Sequence, residues 1–250
     1  MKNEDIYKQV ECNINNLVDN NVYWSVPVTN EDIEKVKNGC FEISISGNKA
    51  LPSEWFPENM AGVKILCLAG AGGQQSPLCA AAGADVTVLD LSENMLKRDK
   101  MVAERENLLI QIEHGNMCDL SRFTNESFDI IINPPSLFYV PDVLPVFQEC
   151  YRVLKSGGTF IMCAPNPTNY LCEYVEDEGY YVVCNKLPYK SFEHDDQGTW
   201  IEYGYTLDSY IGGQVKCGFS IVGFFEDSLD NQIDETVFCE TCFVTRAIKM

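Results

Sequence analysis

Basic residues are scarce in this chain: 18 Lys and Arg stand against 37 Asp and Glu, a net charge of −19 over 250 residues. No basic run reaches even four residues. DNA, RNA and other polyanions are therefore poor partners, because binding them depends on Lys and Arg neutralising phosphates. Long apolar runs are missing too; none approaches the ~18 residues that a membrane span requires. The opening MKNEDIYKQVECNINN is polar and acidic, without the apolar segment of a secretory leader or the Arg content of a transit peptide. A cytoplasmic location, with no membrane partner, is the resulting expectation. Histidine is limited to His114 and His194, so the single CxxC, Cys239 to Cys242, has no second pair to complete a tetrahedral site, and no metal is expected. The twelve cysteines are scattered, several within apolar runs, which is the pattern of reduced, mostly buried thiols.

What the chain does have is a sufficient core, 46% hydrophobic residues, arranged in alternating strand-like and helix-like segments. Strands are expected at 63–69, 85–90, 109–113, 128–133 and 158–164, near-continuous apolar runs of the kind a sheet covered on both faces needs. Helices are expected at 75–82, 92–106 and 143–154, the second capped by Ser92 and the third closed by Ser156-Gly157-Gly158. This βαβαβ order implies an α/β fold with a doubly wound, parallel sheet. Residues 1–62 read as a helical cap extension: an acidic helix, a Trp-containing turn (VYWSVPV), a second helix from Thr29-Asn30 to Gly39, and a short alternating strand at Phe41, Ile43 and Ile45. Residues 63–250 read as the main domain, with an insertion at 165–217 that holds eight of the twelve tyrosines but no long periodic run. Its place suggests a lid. Strands at 219–225 and 238–247 would close the sheet as a hairpin-like pair.

The stretch LCLAGAGGQQSP, Leu66 to Pro77, occupies the first βα turn, where ligands bind in such sheets. A dinucleotide fingerprint wants glycines at its first, third and sixth positions; Gly70 and Gly72 supply two, and Gln75 stands at the sixth. Asp90 ends the next strand and can accept hydrogen bonds from two ribose hydroxyls. On these residues alone an NAD-dependent oxidoreductase, an enzyme using another adenosine cofactor and a non-catalytic cofactor-binding protein all remain open.

In order and spacing the motifs resemble the class I S-adenosylmethionine-dependent methyltransferases, and a bacterial branch of them that acts on small molecules. Cys67-Leu68-Ala69-Gly70-Ala71-Gly72-Gly73 is similar to the family's first motif, with Cys for its acidic residue and Ala for two glycines. Trp55-Phe56-Pro57, Gly115–Leu120, Ser127–Pro135, Tyr151–Gly158 and Ile211–Phe219 resemble further blocks. The resemblance implies a mainly parallel seven-stranded Rossmann-like sheet whose last strand is antiparallel. It also implies S-adenosylmethionine as cofactor, S-adenosylhomocysteine as product and an unidentified small-molecule acceptor. As cofactor-binding residues it implies Ala69, Gly70, Gly72, Gln75, Asp90, Leu91, Met95, Asn116, Met117 and Asn133. Asn133-Pro134-Pro135-Ser136 lacks the aromatic fourth residue of enzymes that methylate planar amines and reads as a strand exit lining the site. Transfer from a sulfonium needs alignment above all, with a base only where an O–H or N–H must lose its proton. The catalytic candidates are Tyr203, Tyr205 and His194 in the lid; with Trp200, the two tyrosines are expected beside the acceptor, opposite Asn133.

Overall fold

An amphipathic spacing sets the first helix: Ile6, Val10, Ile14 and Val18, four residues apart, are the buried stripe of α1 (Asn3–Asp19). Helix α2 (Asn30–Lys37) starts with a capping box, in which Thr29 and Asp32 satisfy each other's backbone N–H groups. In this computed structural model the chain is described over residues 3–175, 177, 179–195, 198–228 and 239–250, the side chains of 192–199 excepted.

The parallel core follows the expected alternation. Strand β1 (Lys64–Leu68) leads to α3 (Gln75–Ala81), β2 (Asp85–Asp90) to α4 (Glu93–Glu106), and β3 (Ile110–His114) to β4 (Phe128–Asn133). Helix α5 (Leu144–Val153) then runs directly into β5 (Leu154–Pro165). Helix α4 begins where the Ser92 side chain accepts from Met95 N–H at 3.1 Å and ends on the left-handed Asn107. Strand β5 starts four residues earlier than expected, because Lys155–Gly158 is accommodated as an irregularity: Phe128 pairs with Leu154 but Ile130 with Thr159. Gly158 is required there, since a Cβ would lie 2.8 Å from the Lys155 carbonyl oxygen.

Residues 165–217, expected as an irregular lid, contain two antiparallel hairpins. These are β6 (Cys172–Val175) with β7 (Tyr180–Val183), and β8 (Tyr189–Asp195) with β9 (Gly198–Gly204). The alternation in Ile201-Glu202-Tyr203, inward and outward by turns, was the available strand signal. Strands β10 (Phe219–Asp227) and β11 (Cys242–Lys249) complete a seven-stranded sheet ordered β10-β11-β5-β4-β1-β2-β3, antiparallel only where β11 meets β10 and β5. Strand β11 begins later than expected, at Cys242; Cys239 precedes it with Sγ 3.2 Å from Thr168 Oγ1, and Phe238 lies outside the described residues.

Successive strand residues serve opposite faces. Leu66, Leu68, Leu89, Ile131 and Phe160 join one apolar cluster, and Ile65, Cys67, Val88, Ile130 and Ile161 the other. The strand expected at 41–45 does not form, although Ile43 and Ile45 are buried in the second cluster. The segment has no ladder partner and is held by single bonds, Leu51 N–H to the Ile43 carbonyl and Gln75 Nε2 to the Ser44 carbonyl. All twelve cysteines are free thiols. Among the described residues no helix is long and apolar enough to cross a membrane, and no group of His, Cys, Asp or Glu is placed to hold a metal ion.

Arg98 is prominent among the side chains that fasten the N-terminal segment to the sheet domain. Arg98 on α4 donates to the carbonyls of Ser25 and Val18, to Ser25 Oγ at 2.9 Å and to Asn21 Oδ1 at 3.0 Å. Hydrogen bonds from a charged donor contribute about 1.5–3 kcal/mol each when their loss strands buried acceptors. Arg98→Met is therefore expected to lower the unfolding free energy by about 2 kcal/mol or more and to speed chymotrypsin cleavage at Tyr23 and Trp24. Unchanged urea unfolding together with an unchanged digestion rate would show that the cap docks without this clamp.

Candidate functional site

The turn after β1 is built from left-handed backbone. Ala69 and Ala71 both have φ of +54°, Gly72 +70° and Gly73 +78°. A left-handed non-glycine residue costs roughly 1–2 kcal/mol, so the two alanines are strained positions retained by their surroundings. The intervening Gly70 is needed for a different reason: a Cβ there would sit 2.8 Å from Val88 Cγ2 on β2. At Gly72 the obstacle is Met95 Sδ at 2.7 Å, and at Gly73 it is the Arg98 carbonyl at 3.0 Å and Pro27 at 3.2 Å. The turn is thus squeezed between β2, α4 and the N-terminal segment.

A cavity of about 510 Å³ opens at the carboxyl ends of β1 to β4. Ala69, Ala71, Gln74 and Gln75 line it from the first turn, Asp90, Leu91, Ser92 and Met95 from the second, and Gly115, Asn116 and Met117 from the exit of β3. Pro134, Pro135, Ser136, Phe138, Tyr139 and Val140 form its wall beyond β4. The remaining cover comes from residues that sequence reasoning did not select: Val10, Glu11 and Ile14 of α1, Tyr23 and Trp24, and Ser44 to Gly47. The only advance signal for them was the Trp of VYWSVPV lying in a turn rather than in a core segment.

The two glutamines of the turn explain how that cover is attached. Gln74 Nε2 donates to the carbonyls of Trp24 (2.6 Å) and Val26 (3.1 Å), and Val28 N–H to the Gly73 carbonyl at 3.0 Å. Gln75 Nε2 reaches the Ser44 carbonyl at 3.2 Å while its Oε1 is buried without a partner. Gln75 stands at the position where a dinucleotide site has its third glycine, and here its length is used to bridge to another segment.

Asp90 is buried at the end of β2 and accepts from Ser92 N–H at 2.7 Å; the backbone N–H groups of Gly70 and Leu91 also favour its charged form. Burial outweighs them and pushes its carboxyl up to about 6. His114 Nε2 lies 2.8 Å from the Leu91 carbonyl and 3.1 Å from Glu11 Oε1; both are acceptors, so this nitrogen carries the hydrogen. The histidine ties α1 to the ends of β2 and β3.

The structure therefore brings Ala69, Gln75, Asp90, Leu91, Met95, Asn116 and Met117 onto one cavity surface and leaves Gly70, Gly72 and Asn133 behind it. Asn133 is fully buried; its Nδ2 braces the strand exit through the Leu68 carbonyl and Ser136 Oγ, both at 2.9 Å, and Oδ1 has no partner. Tyr203 and Tyr205, expected beside the acceptor, lie in the apolar cluster instead, rings 6.3 Å apart and stacked. Tyr205 Oη donates to the Val140 carbonyl, so it supports the cavity wall from outside; Tyr203 Oη is buried and unpartnered. The reason is strand parity: β9 packs on α1, and its inward positions are Ile201 and Tyr203, with Tyr205 buried just beyond its end. Trp200 is half-buried on the same strand and does not line the cavity. The His194 side chain lies outside the described residues; its backbone pairs with Thr199.

Asp99 was not visible as a site residue. It shares the buried face of α4 with Met95 and Val102, accepts from Ser76 Oγ and from the Gly73 backbone, and leaves Oδ2 without a partner. Burial pushes its carboxyl up to about 7.

Comparison with known proteins agrees with this geometry. A family model described as a methyltransferase domain matches residues 66–162. A Bacillus subtilis relative, the uncharacterized methyltransferase YbaJ, is 40% identical over 91% of this chain and 92% of its own. The chain belongs to the class I S-adenosylmethionine-dependent methyltransferases. This methyltransferase shares its fold with an S-adenosylmethionine-dependent methyltransferase from Mesorhizobium loti (TM-score 0.64, 20% identity, covering 78% of this chain and 94% of that one). It also shares its fold with the 1,6-didemethyltoxoflavin-N1-methyltransferase of Burkholderia thailandensis, whose structure contains that substrate and S-adenosylhomocysteine. The TM-score there is 0.64 at 11% identity, over all of this chain and 91% of the other. Family membership decides among the three readings left open above: the protein is a methyltransferase enzyme and its cofactor is S-adenosylmethionine.

In this methyltransferase the buried Asp99 makes stability depend on pH. A carboxyl held near 7 in the folded chain and near 4 when unfolded binds its proton more tightly when folded. Its contribution is thus most favourable below pH 4 and is lost as pH rises toward 7. Asp99→Asn removes that loss while keeping an acceptor for Ser76. The variant is expected to exceed the natural chain in unfolding free energy at pH 8, by on the order of 4 kcal/mol at most, with the gap closing toward pH 4. Parallel pH dependences for the two proteins in urea unfolding would refute this account of Asp99.

Proposed function

We propose that this enzyme transfers a methyl group to a small-molecule acceptor inside the cavity at the ends of β1 to β4. The cofactor would lie against the first three strand exits and the acceptor against the fourth. The observation that carries the reading is Asp90, a buried carboxylate at the end of β2 facing the same cavity as the left-handed turn. The residues present suit the cofactor. Asp90 retains acceptor capacity for the ribose, and Leu91 and Met117 offer apolar surface for a purine, with Asn116 beside them. Ala69 and Ala71, kept small by the turn's geometry, admit an amino-acid moiety close to the backbone. Bound there, S-adenosylmethionine supplies a methyl group already activated on a sulfonium.

The chain's own contribution is alignment and exclusion of water. On this reading residues 1–62 act as the cap of the cavity and 63–250 as the catalytic unit, in which the 165–217 insertion supports the wall at Val140 rather than closing over the site. The small-molecule acceptor is supported by the enclosure of the cavity under α1 and residues 23–24 and 44–47, and by the substrate of the Burkholderia neighbour. A net charge of −19 disfavours nucleic-acid substrates, and free thiols throughout suit a reducing cytoplasm.

Calorimetric titration with S-adenosylhomocysteine tests the reading. Asp90→Ala is expected to weaken binding by on the order of 2 kcal/mol or more. Gly72→Val should weaken it further, because the new Cβ would lie 2.7 Å from Met95 Sδ. Hydrogen bonds donated to Asp90 favour its charged form, so affinity should fall as pH drops through about 6, by as much as about tenfold at pH 5 relative to pH 7.5. Binding that ignores both Asp90 and pH would remove this residue from the cofactor site.

A further inference from the structure

The two ends of the cavity differ in charge. Glu11 and Asp90 are the ionisable carboxylates among the lining residues, and both stand at the β2–β3 end, where Glu11 is bonded to His114 and Asp90 to Ser92 N–H. The opposite end, between residues 44–47 and the exit of β4, is lined by Ile45, Pro134, Pro135, Phe138, Tyr139 and Val140 with serine hydroxyls and backbone between them. Among the described residues no Lys, Arg, Asp or Glu side chain lines that end. Two carboxylates close to that end are already engaged. Asp227 accepts from Ser46 Oγ at 2.6 Å and from the N–H groups of Asn48 and Lys49, and Glu202 accepts from Tyr170 Oη at 3.0 Å.

Charge brought into such a space must leave water without gaining a counter-charge, which costs far more than the burial of an uncharged group of equal size. Phe138, Tyr139 and the two prolines supply flat apolar surface, and Tyr139, buried near the charge of Glu202, keeps its hydroxyl proton and can donate a hydrogen bond.

We propose that the acceptor is an uncharged aromatic molecule, held between residues 44–47 and 134–140, and that this neutral lining rejects both carboxylate- and ammonium-bearing analogues. The inference rests on the placement of the cofactor at the other three strand exits. It also suits a site where, among the described residues, no histidine, lysine or carboxylate lines the acceptor end to take a proton, since an aromatic O–H or ring N–H ionises more readily than an aliphatic one. In the transfer the acceptor's oxygen or nitrogen gains the methyl carbon as the donor's C–S bond breaks, with its electron pair left on sulfur and the acceptor's proton passing to water.

The test is a fragment library of matched triads on one- and two-ring aromatic scaffolds, each with a neutral, a carboxylate and an ammonium member. It is screened by ligand-observed NMR against the full chain saturated with S-adenosylhomocysteine. Neutral members are expected to bind at least tenfold more tightly than their charged partners. Phe138→Arg, a half-buried position at the cavity wall, should reverse the preference toward carboxylates by a similar factor while calorimetric affinity for S-adenosylhomocysteine stays within about threefold. A library in which charged members bind best, or in which none binds while S-adenosylhomocysteine does, overturns the acceptor assignment alone. Failure of S-adenosylhomocysteine itself to bind the natural chain would overturn the underlying placement of the cofactor.

Discussion

The left-handed turn from Ala69 to Gly73 is the constraint on which the rest of the molecule depends. Four of its five residues have positive φ, two of them alanines, and such a path is retained only where neighbours leave no other. Val88 of β2 presses on Gly70, Met95 of α4 on Gly72, and Arg98 and Pro27 on Gly73. Spacing of β1 from β2, seating of α4 and docking of the N-terminal segment are therefore linked through one short loop. That loop in turn forms the floor of the cavity at the strand ends.

Polar contacts beneath and above the turn have different costs. Above it, Gln74, Gln75 and Arg98 spend side-chain donors on backbone carbonyls of residues 18–44, which fixes the cap with each of these donors satisfied. Beneath it, Asp99 accepts from Gly73 and Ser76 but leaves one oxygen unsatisfied, so the carboxyl is pushed toward neutrality. Cys67 stands where the family motif has its acid, fully buried, and its hydrogen bond with Cys79, together with burial, raises its thiol well above the ordinary range.

The cavity divides along the sheet. Its β2–β3 end carries Asp90 and Glu11, held by backbone N–H groups and by His114, while its β4 end carries rings, prolines and hydroxyls. The first end offers hydrogen-bond acceptors to a polar nucleoside, the second offers contact area. On the proposed reading, separating the two chemistries over adjacent strand exits would let one enclosure hold two unlike molecules beneath the N-terminal segment.

Local pattern along the chain already marks the parallel core, the order of its elements and the motif residues that follow each strand. Periods of two and 3.6 report which side of a strand or helix is buried, and the turns after β1, β2 and β3 are contiguous in the chain. Leu66 and Leu68 against Ile65 and Cys67, or Ser92 at the start of α4, are local facts that tertiary structure leaves in place. The cover of the site is set by long-range packing. Tyr203 and Tyr205 belonged to the expected lid, yet β9 turns Tyr203 inward and Tyr205 just beyond it is buried too, while Glu11, Trp24 and Ser44 arrive from the far end of the chain. Asp99 has the composition of a surface helix residue and becomes buried because Gly73 and Ser76 close over it. Contacts between segments distant in sequence carry no periodic signature, since each side reads locally as an ordinary polar or apolar residue, and the pairing exists only once the fold has brought both together.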